Sequence, residues 1–319
     1  MTTAGLTAED VARLQAEEHP VIREEQFASL PERVLHAMHV RAYDEAVSRA
    51  QGRDVLDLGC NSGYGTLRLA AVARSAVGVD VNASAIEAAR MRPGAEAATF
   101  HVIDGVVLPF PDTAFDLVAS FQVIEHIDDP GPYLAEIARV LRPDGVALLT
   151  TPNAAIRLDP GMTPWNRFHV REYRAAELPA VLAPYFESVE VLGMQAPPAI
   201  AAVERARVDA ARRRVRARLA AEARTRSRAA ALARSAGLGS RVRAVVRAIV
   251  PAGVRRLLRG MVGTPAVSTI APAEAPVATI SDAVTMRVDA ADFWYSPDDA
   301  DDSLDLLAVC SRPRRPAAS

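Results

Sequence analysis

The chain has 319 residues, half of them apolar and 24% charged, with a formal net charge of −2 and two cysteines, Cys60 and Cys310. That composition suits one enlarged domain or two ordinary ones and excludes collagen-like, disulfide-scaffold and wholly disordered chains. The mixed, acidic N-terminus does not read as a signal peptide and no apolar run approaches the roughly 18 residues of a membrane span. Without a cysteine framework the expectation is a reduced, cytoplasmic protein.

Residues 5–50 read as modestly amphipathic helices that close at the turn Gln51-Gly52. From residue 54 to about 194, strand and helix patterns alternate, the signature of a parallel sheet covered on both faces. Strands are expected at 55–58, 76–79, 99–103, 115–120, 146–150 and 187–192, and helices at 66–72, 83–91 and 133–141. The third helix is stopped by Arg142-Pro143-Asp144-Gly145. After Pro197-Pro198 the rhythm changes. Residues 199–236 contain neither Gly nor Pro and predict a long helix, followed by a second one with Val242, Val245, Val246 and Ile249 on one face. Residues 264–281, rich in Pro, Ala, Ser and Thr, read as a linker. The run 304–310 (LDLLAVC) reads as one more buried strand near the C-terminus.

Charge is distributed unevenly. Every basic residue is Arg, and residues 201–260 hold 17 Arg against Glu204, Asp209 and Glu222, a local balance of +14. The segment 282–305 holds eight Asp against Arg287. Three readings of the Arg-rich arm follow: a solvated helical face neutralised by the acidic segment, a contact for phosphate-bearing substrate or an anionic surface, or a nucleic-acid contact. The arm lacks interleaved aromatics for base stacking, which weighs against the last. Phe293-Trp294-Tyr295 reads as a packed plug.

The strongest chemical signal is VLDLGCNSGYGTLRLA at 55–70. A strand ends at Asp57, and a loop bearing Gly59, Gly63 and Gly65 leads into a helix, so backbone can approach a ligand near a helix N-terminus. Asp80 ends the second strand, where a carboxylate accepts from ribose hydroxyls, and Asp104 ends the third, placed to accept from an adenine amino group.

With these residues in view, the sequence resembles the class I S-adenosylmethionine-dependent methyltransferases over roughly residues 35–194 plus the last strand. DLGCNSG resembles the first motif, GVDVN the acidic second strand, HVIDGVVLPFPDTAFDLVASFQVIEHIDDP the third and fourth strand ends, and EIARVLRPDGVALLTTPN the helix, turn and fifth strand. Asn61 stands where the family usually has Gly, and Asn tolerates positive φ. The resemblance implies an α/β fold: a Rossmann-like, seven-stranded, mostly parallel sheet with helices on both faces. Its parts are an N-terminal helical cap (1–50), a methyltransferase core (51–196), an Arg-rich helical insertion (197–263), a linker and acidic segment (264–302) and a final antiparallel core strand (303–312).

It also implies S-adenosyl-L-methionine as cofactor. Asp57 and Gly59 then lie by its methionine part, Asp80 holds the ribose, and Asp104 with Gly105 frames the adenine, while Cys60, Gly63, Val81 and Phe121 complete the surround. His39-Val40-Arg41-Ala42-Tyr43 resembles a helix that closes over the methionine carboxylate, through Arg41 or Tyr43, the alternative being an ordinary surface helix. On the acceptor side, Gln122-Val123-Ile124-Glu125-His126 follows strand four, and His169 follows strand five. A neutral His near pH 7 suits removal of a hydroxyl proton as the methyl moves. His126 is read as base or substrate contact, as structural, or as metal ligand. Gln122 stands where some relatives have the first Glu of a Glu-x-x-Glu-His metal pattern, which weakens the last, and no metal is expected. His169 is read as functional or structural.

The function expected is methyl transfer to a small-molecule or glycan acceptor, at a hydroxyl oxygen. The alternatives are a nucleic-acid methyltransferase that uses the arm, and a non-catalytic S-adenosylmethionine-binding module.

Overall fold

Ser29 starts the first described helix for a local reason: its side chain accepts from the Glu32 N–H while the Glu32 carboxylate accepts from the Ser29 N–H, with Pro31 in the first turn. The computed structural model describes residues 29–103, 105, 107–166, 168–249 and 286–314, with only the backbone from 230 to 249. The helices expected before residue 29, Asp104, the Val242 stripe and the 264–281 linker lie outside the described residues.

In chain order the helices are α1 (Leu30–Ala50), α2 (Tyr64–Ala70), α3 (Ala83–Arg90), α4 (Pro130–Val140), α5 (Ala154–Arg157), α6 (Leu178–Leu182) and α7 (Pro198–Ile249). The strands are β1 (Asp54–Leu58), β2 (Ser75–Asp80), β3 (Thr99–Val102), β4 (Phe115–Phe121), β5 (Leu141–Pro152), β6 (Phe186–Gln195), β7 (Trp294–Ser296) and β8 (Asp305–Pro313). They form one sheet in the order β3-β2-β1-β4-β5-β8-β6-β7. The first five strands are parallel, and β8 runs antiparallel between β5 and β6. The connection reverses direction between β1 and β4, and a crevice opens there beyond the strand C-termini.

The sheet has eight strands rather than the expected seven. The extra one is β7, three residues that pair with Gly193–Gln195 on the outer edge of β6. Three residues beside acidic turns carry no period-2 pattern, so this strand has no sequence signal. Within the supposed aromatic plug, Phe293 is buried but Trp294 is exposed.

Two further expectations shift. The strand expected at 146–150 begins at Leu141, and residues 142–145 bulge between the Phe115–Leu141 and Leu117–Val146 pairs. Where two helices were expected beyond residue 198, a single helix, α7, runs through Gly237 and Gly239.

Alternation along the strands divides the core into two layers. Val55, Leu117, Leu148 and Leu307 meet Ala42, Tyr43 and Ala46 of α1, while Leu56, Val118, Leu149 and Leu306 meet Leu134 and Ile137 of α4. Burial of each such side chain is worth about 1.5–3 kcal/mol. Opposite the crevice, at the other ends of β1 and β4, Arg142 reaches Asp54 at 3.0 Å and Asp116 at 2.7 Å, and Arg74 joins both acids.

The chain divides into two compact units, residues 1–212 with 287–319, and residues 213–286. The start of α7 belongs to the first, because Ile200, Glu204 and Val208 form one buried face at helical spacing. There Arg205 pairs with Asp302 at 2.9 Å, one contact of the kind expected between arm and acidic segment. In the second unit the described side chains, Arg213 to Ala229, are largely exposed. No helix among the described residues is long and apolar enough to cross a membrane.

Candidate active site

A cavity of about 630 Å³ lies at the C-terminal ends of the parallel strands. Leu58 and Gly59 of the first strand end line it, as do Asp80 and Val81 of the second, Ile103 and Gly105 of the third, and Phe121 and Gln122 of the fourth. Helix α1 closes one side with Leu35, His36, Met38, His39 and Ala42, a stripe at helical spacing.

The loop from β1 to α2 is built to bring backbone close. Gly59 has φ 86°, and a Cβ there would lie 2.5 Å from Val123 Cγ2. Asn61 adopts φ 46°, the left-handed conformation required of it in place of the usual glycine, and Gly63 has φ 77°. Asp80 holds this loop: its two oxygens accept from the backbone N–H groups of Asn61 and Asn82, each at 2.8 Å. Its carboxylate stays on the cavity wall, with lone pairs to spare for a diol.

Asp57 does something else. It is buried behind the loop and accepts from Thr66 Oγ1 at 2.6 Å and from the Tyr43 hydroxyl at 3.1 Å. Burial pushes its carboxyl up to about 7 against the pull of those two donors. Tyr43 thus ties α1 to β1 and does not line the cavity. Arg41 does not line it either: it pairs with Glu45 and lies over the Tyr295 ring. Cys60 packs its thiol with Ile86, Ala89 and Phe100, away from the cavity. The α1 face toward the cavity carries His36 and His39, which the sequence reading missed although their i, i+3 spacing could have shown it. Burial, then His36, holds His39 down to about 4, so it is neutral near pH 7.

On the opposite wall, the short turn Ile124–His126 continues β4. Glu125 points inward and is fully buried, and its Oε2 accepts from Thr151 at 3.2 Å. Its carbonyl accepts from the Val170 and Arg171 N–H groups, which pins the loop after α5 against the turn. That pinning brings His169 to His126, the ring centroids 4.9 Å apart at 81°. His126 lines the cavity, and its Nδ1 lies 3.2 Å from the Phe168 carbonyl. His169 Nδ1 lies 2.7 Å from Glu172 Oε1, and Glu172 also accepts both arms of the Arg157 guanidinium at 2.9 and 3.0 Å. Burial would raise the Glu172 carboxyl, but hydrogen bonds from His169 and Arg157 outweigh it. Burial likewise lowers His169, despite its acidic partner.

The far end is made by residues distant in sequence. Gln122 Nε2 donates to both oxygens of Asp305 at the start of β8, at 3.2 and 3.0 Å. Arg157 lies over the Trp165 ring at 4.1 Å, and Glu204 and Arg207 reach the same wall from α7.

This sheet order, the glycine-bearing loop after β1 and the acid ending β2 define a nucleotide-binding α/β domain. Residues 56–149 match the family model described as "Methyltransferase domain". That segment is similar to S-adenosylmethionine-dependent methyltransferase domains, a likeness that implies S-adenosylmethionine as cofactor. The loop and Asp80 suit that group: close backbone approach after β1 and a carboxylate on the same cavity wall.

A Mycolicibacterium smegmatis protein named "Probable S-adenosylmethionine-dependent methyltransferase" is 42% identical over 159 residues, 49% of this chain and 60% of that one. A "Fatty-acid O-methyltransferase" from the same organism is 34% identical over 120 residues, 36% of this chain and 44% of its own. The crystal structure of Bacillus subtilis YcgJ superposes with a TM-score of 0.44 at 25% identity, over 50% of this chain and 73% of that one. The chain spans about half to three-fifths of the length of curated relatives it matches.

Proposed function

We propose that this chain transfers a methyl group from S-adenosylmethionine to a hydroxyl oxygen of a small-molecule or glycan acceptor. The observation that carries the reading is His126 on the cavity wall, backed by Glu125 and His169, at the strand end beside the topological switch. Bound S-adenosylmethionine supplies an electrophilic methyl carbon. Asp80 accepts from its ribose hydroxyls, Gly59 admits the methionine part, and Val81, Gly105 and Phe121 enclose the adenosine.

The Glu125, His126 and His169 group is where the acceptor hydroxyl loses its proton. Asp57 and Tyr43 act as positioning residues that hold α1 over the cavity. Similarity to a fatty-acid O-methyltransferase supports oxygen as the receiving atom. Two buried, unpaired cysteines support a cytoplasmic setting.

Labelled methyl donor, offered with panels of hydroxylated lipids, hydroxylated small molecules and glycans, tests the reading. Transfer to a hydroxyl acceptor is expected. Transfer confined to amines, or binding of donor with no transfer to any panel, sinks it.

A further inference from the structure

Glu125, His126 and His169 offer one oxygen and two nitrogens that all lie within 4.8 Å of one another. Three features of this group point to a ligand. The Phe168 carbonyl can only accept, so His126 Nδ1 carries the hydrogen and the ring's lone pair sits on Nε2. His169 donates from Nδ1 to Glu172, itself clamped by Arg157, so its lone pair also sits on Nε2. Such a carboxylate behind the imidazole is how metal-binding histidines are oriented. Finally, Glu125 is fully buried and its Oε1 has no hydrogen-bond partner among the described residues. A buried carboxylate oxygen without a partner is costly unless a charge answers it.

We propose that Glu125, His126 and His169 form a binding site for one divalent first-row transition ion, with open coordination positions toward the cavity. Two imidazoles and one carboxylate suit zinc, manganese, iron or cobalt ions, and three protein ligands leave positions for an exogenous oxygen. Gln122 turns its amide nitrogen to Asp305 and adds no charge to the ligand set. If the methyl-transfer reading holds, the acceptor hydroxyl takes an open position and loses its proton more readily there.

The test uses the full chain, stripped of metal and titrated with Co²⁺ and Zn²⁺. Expected are one ion per chain with visible Co²⁺ absorption, and shifts of the His126 and His169 ring nitrogens on Zn²⁺ addition in ¹H–¹⁵N spectra. Glu125→Gln, which keeps the side chain's shape, and His169→Ala should each weaken uptake by tenfold or more. His101→Ala, on the exposed surface, should leave it unchanged. Lack of saturable one-to-one uptake, or ring nitrogens that do not respond in the wild type, overturns the site even if a variant fails to fold. S-adenosylmethionine affinity, measured in the metal-free protein, is a separate arm. Donor binding without metal uptake overturns the ion site alone, and metal uptake without donor binding overturns the methyl-transfer reading alone.

Discussion

Gly65→Ala is the substitution whose cost can be worked most directly from the structure. The glycine lies in α2, where alanine is favoured by about 1 kcal/mol. An added Cβ would lie 1.9 Å from Tyr43 Cζ and 2.1 Å from its Cε1. Ordinary carbon contact begins near 3.5 Å, so the ring must retreat by about 1.5 Å. Tyr43 is 2% exposed and packs against the His39, Tyr64 and Phe121 rings. Overpacking of this kind costs about 1–3 kcal/mol. The same retreat breaks the 3.1 Å hydrogen bond to Asp57, and a buried carboxylate deprived of a donor loses about 1–3 kcal/mol more. Subtracting the helix gain leaves a net loss of roughly 1–5 kcal/mol. Urea denaturation of wild type and variant measures it. Donor affinity should fall as well, since α1 carries His36 and His39 on the cavity wall. A second-site Tyr43→Ala should recover part of the loss, giving a coupling that two independent sites would lack. A Gly65→Ala protein as stable as wild type would mean that α1 and α2 are not packed as described.

Asp80→Asn keeps one oxygen for the loop amides but removes the charge, and S-adenosylmethionine affinity should drop by about 1.5–3 kcal/mol in calorimetry if Asp80 holds the ribose. Unchanged affinity in a folded variant removes that assignment. Deleting residues 304–319 strips β8 from between β5 and β6, and the cooperative melting transition should vanish; retention of the wild-type Tm would show that strand to be dispensable. Asp57 sits near 7 when folded, above its unfolded value, so its contribution is fully present below about pH 4 and is lost as pH rises toward 7. Relative to Asp57→Asn, the wild type should therefore lose Tm across that window, and parallel pH profiles would refute the raised value. His126→Ala should slow turnover by about 10²–10⁴-fold with donor affinity nearly intact. A normal rate would make His126 structural.

The place of the candidate crevice was determined by the sequence itself. A parallel α/β sheet places its loops by rule, so strands ending at Asp57 and Asp80, with glycines and Asn61 between strand and helix, locate a ligand crevice before any coordinates exist. Local chemistry dictates those features: positive φ at Gly59, Asn61 and Gly63 is a property of the residues that stand there.

What only the tertiary structure decided is the partnership of each polar group. Asp57 faces Tyr43 and Thr66 behind the loop, and Arg41 turns to Glu45, because the helical phase of α1 against the sheet directs His36 and His39 inward instead. Gln122 meets Asp305 across 183 positions of sequence, and His169 meets His126 because the Glu125 carbonyl captures the Val170 and Arg171 amides. Periodicity reports which face of an element is apolar, whereas such meetings depend on how distant elements pack, and no local pattern encodes that.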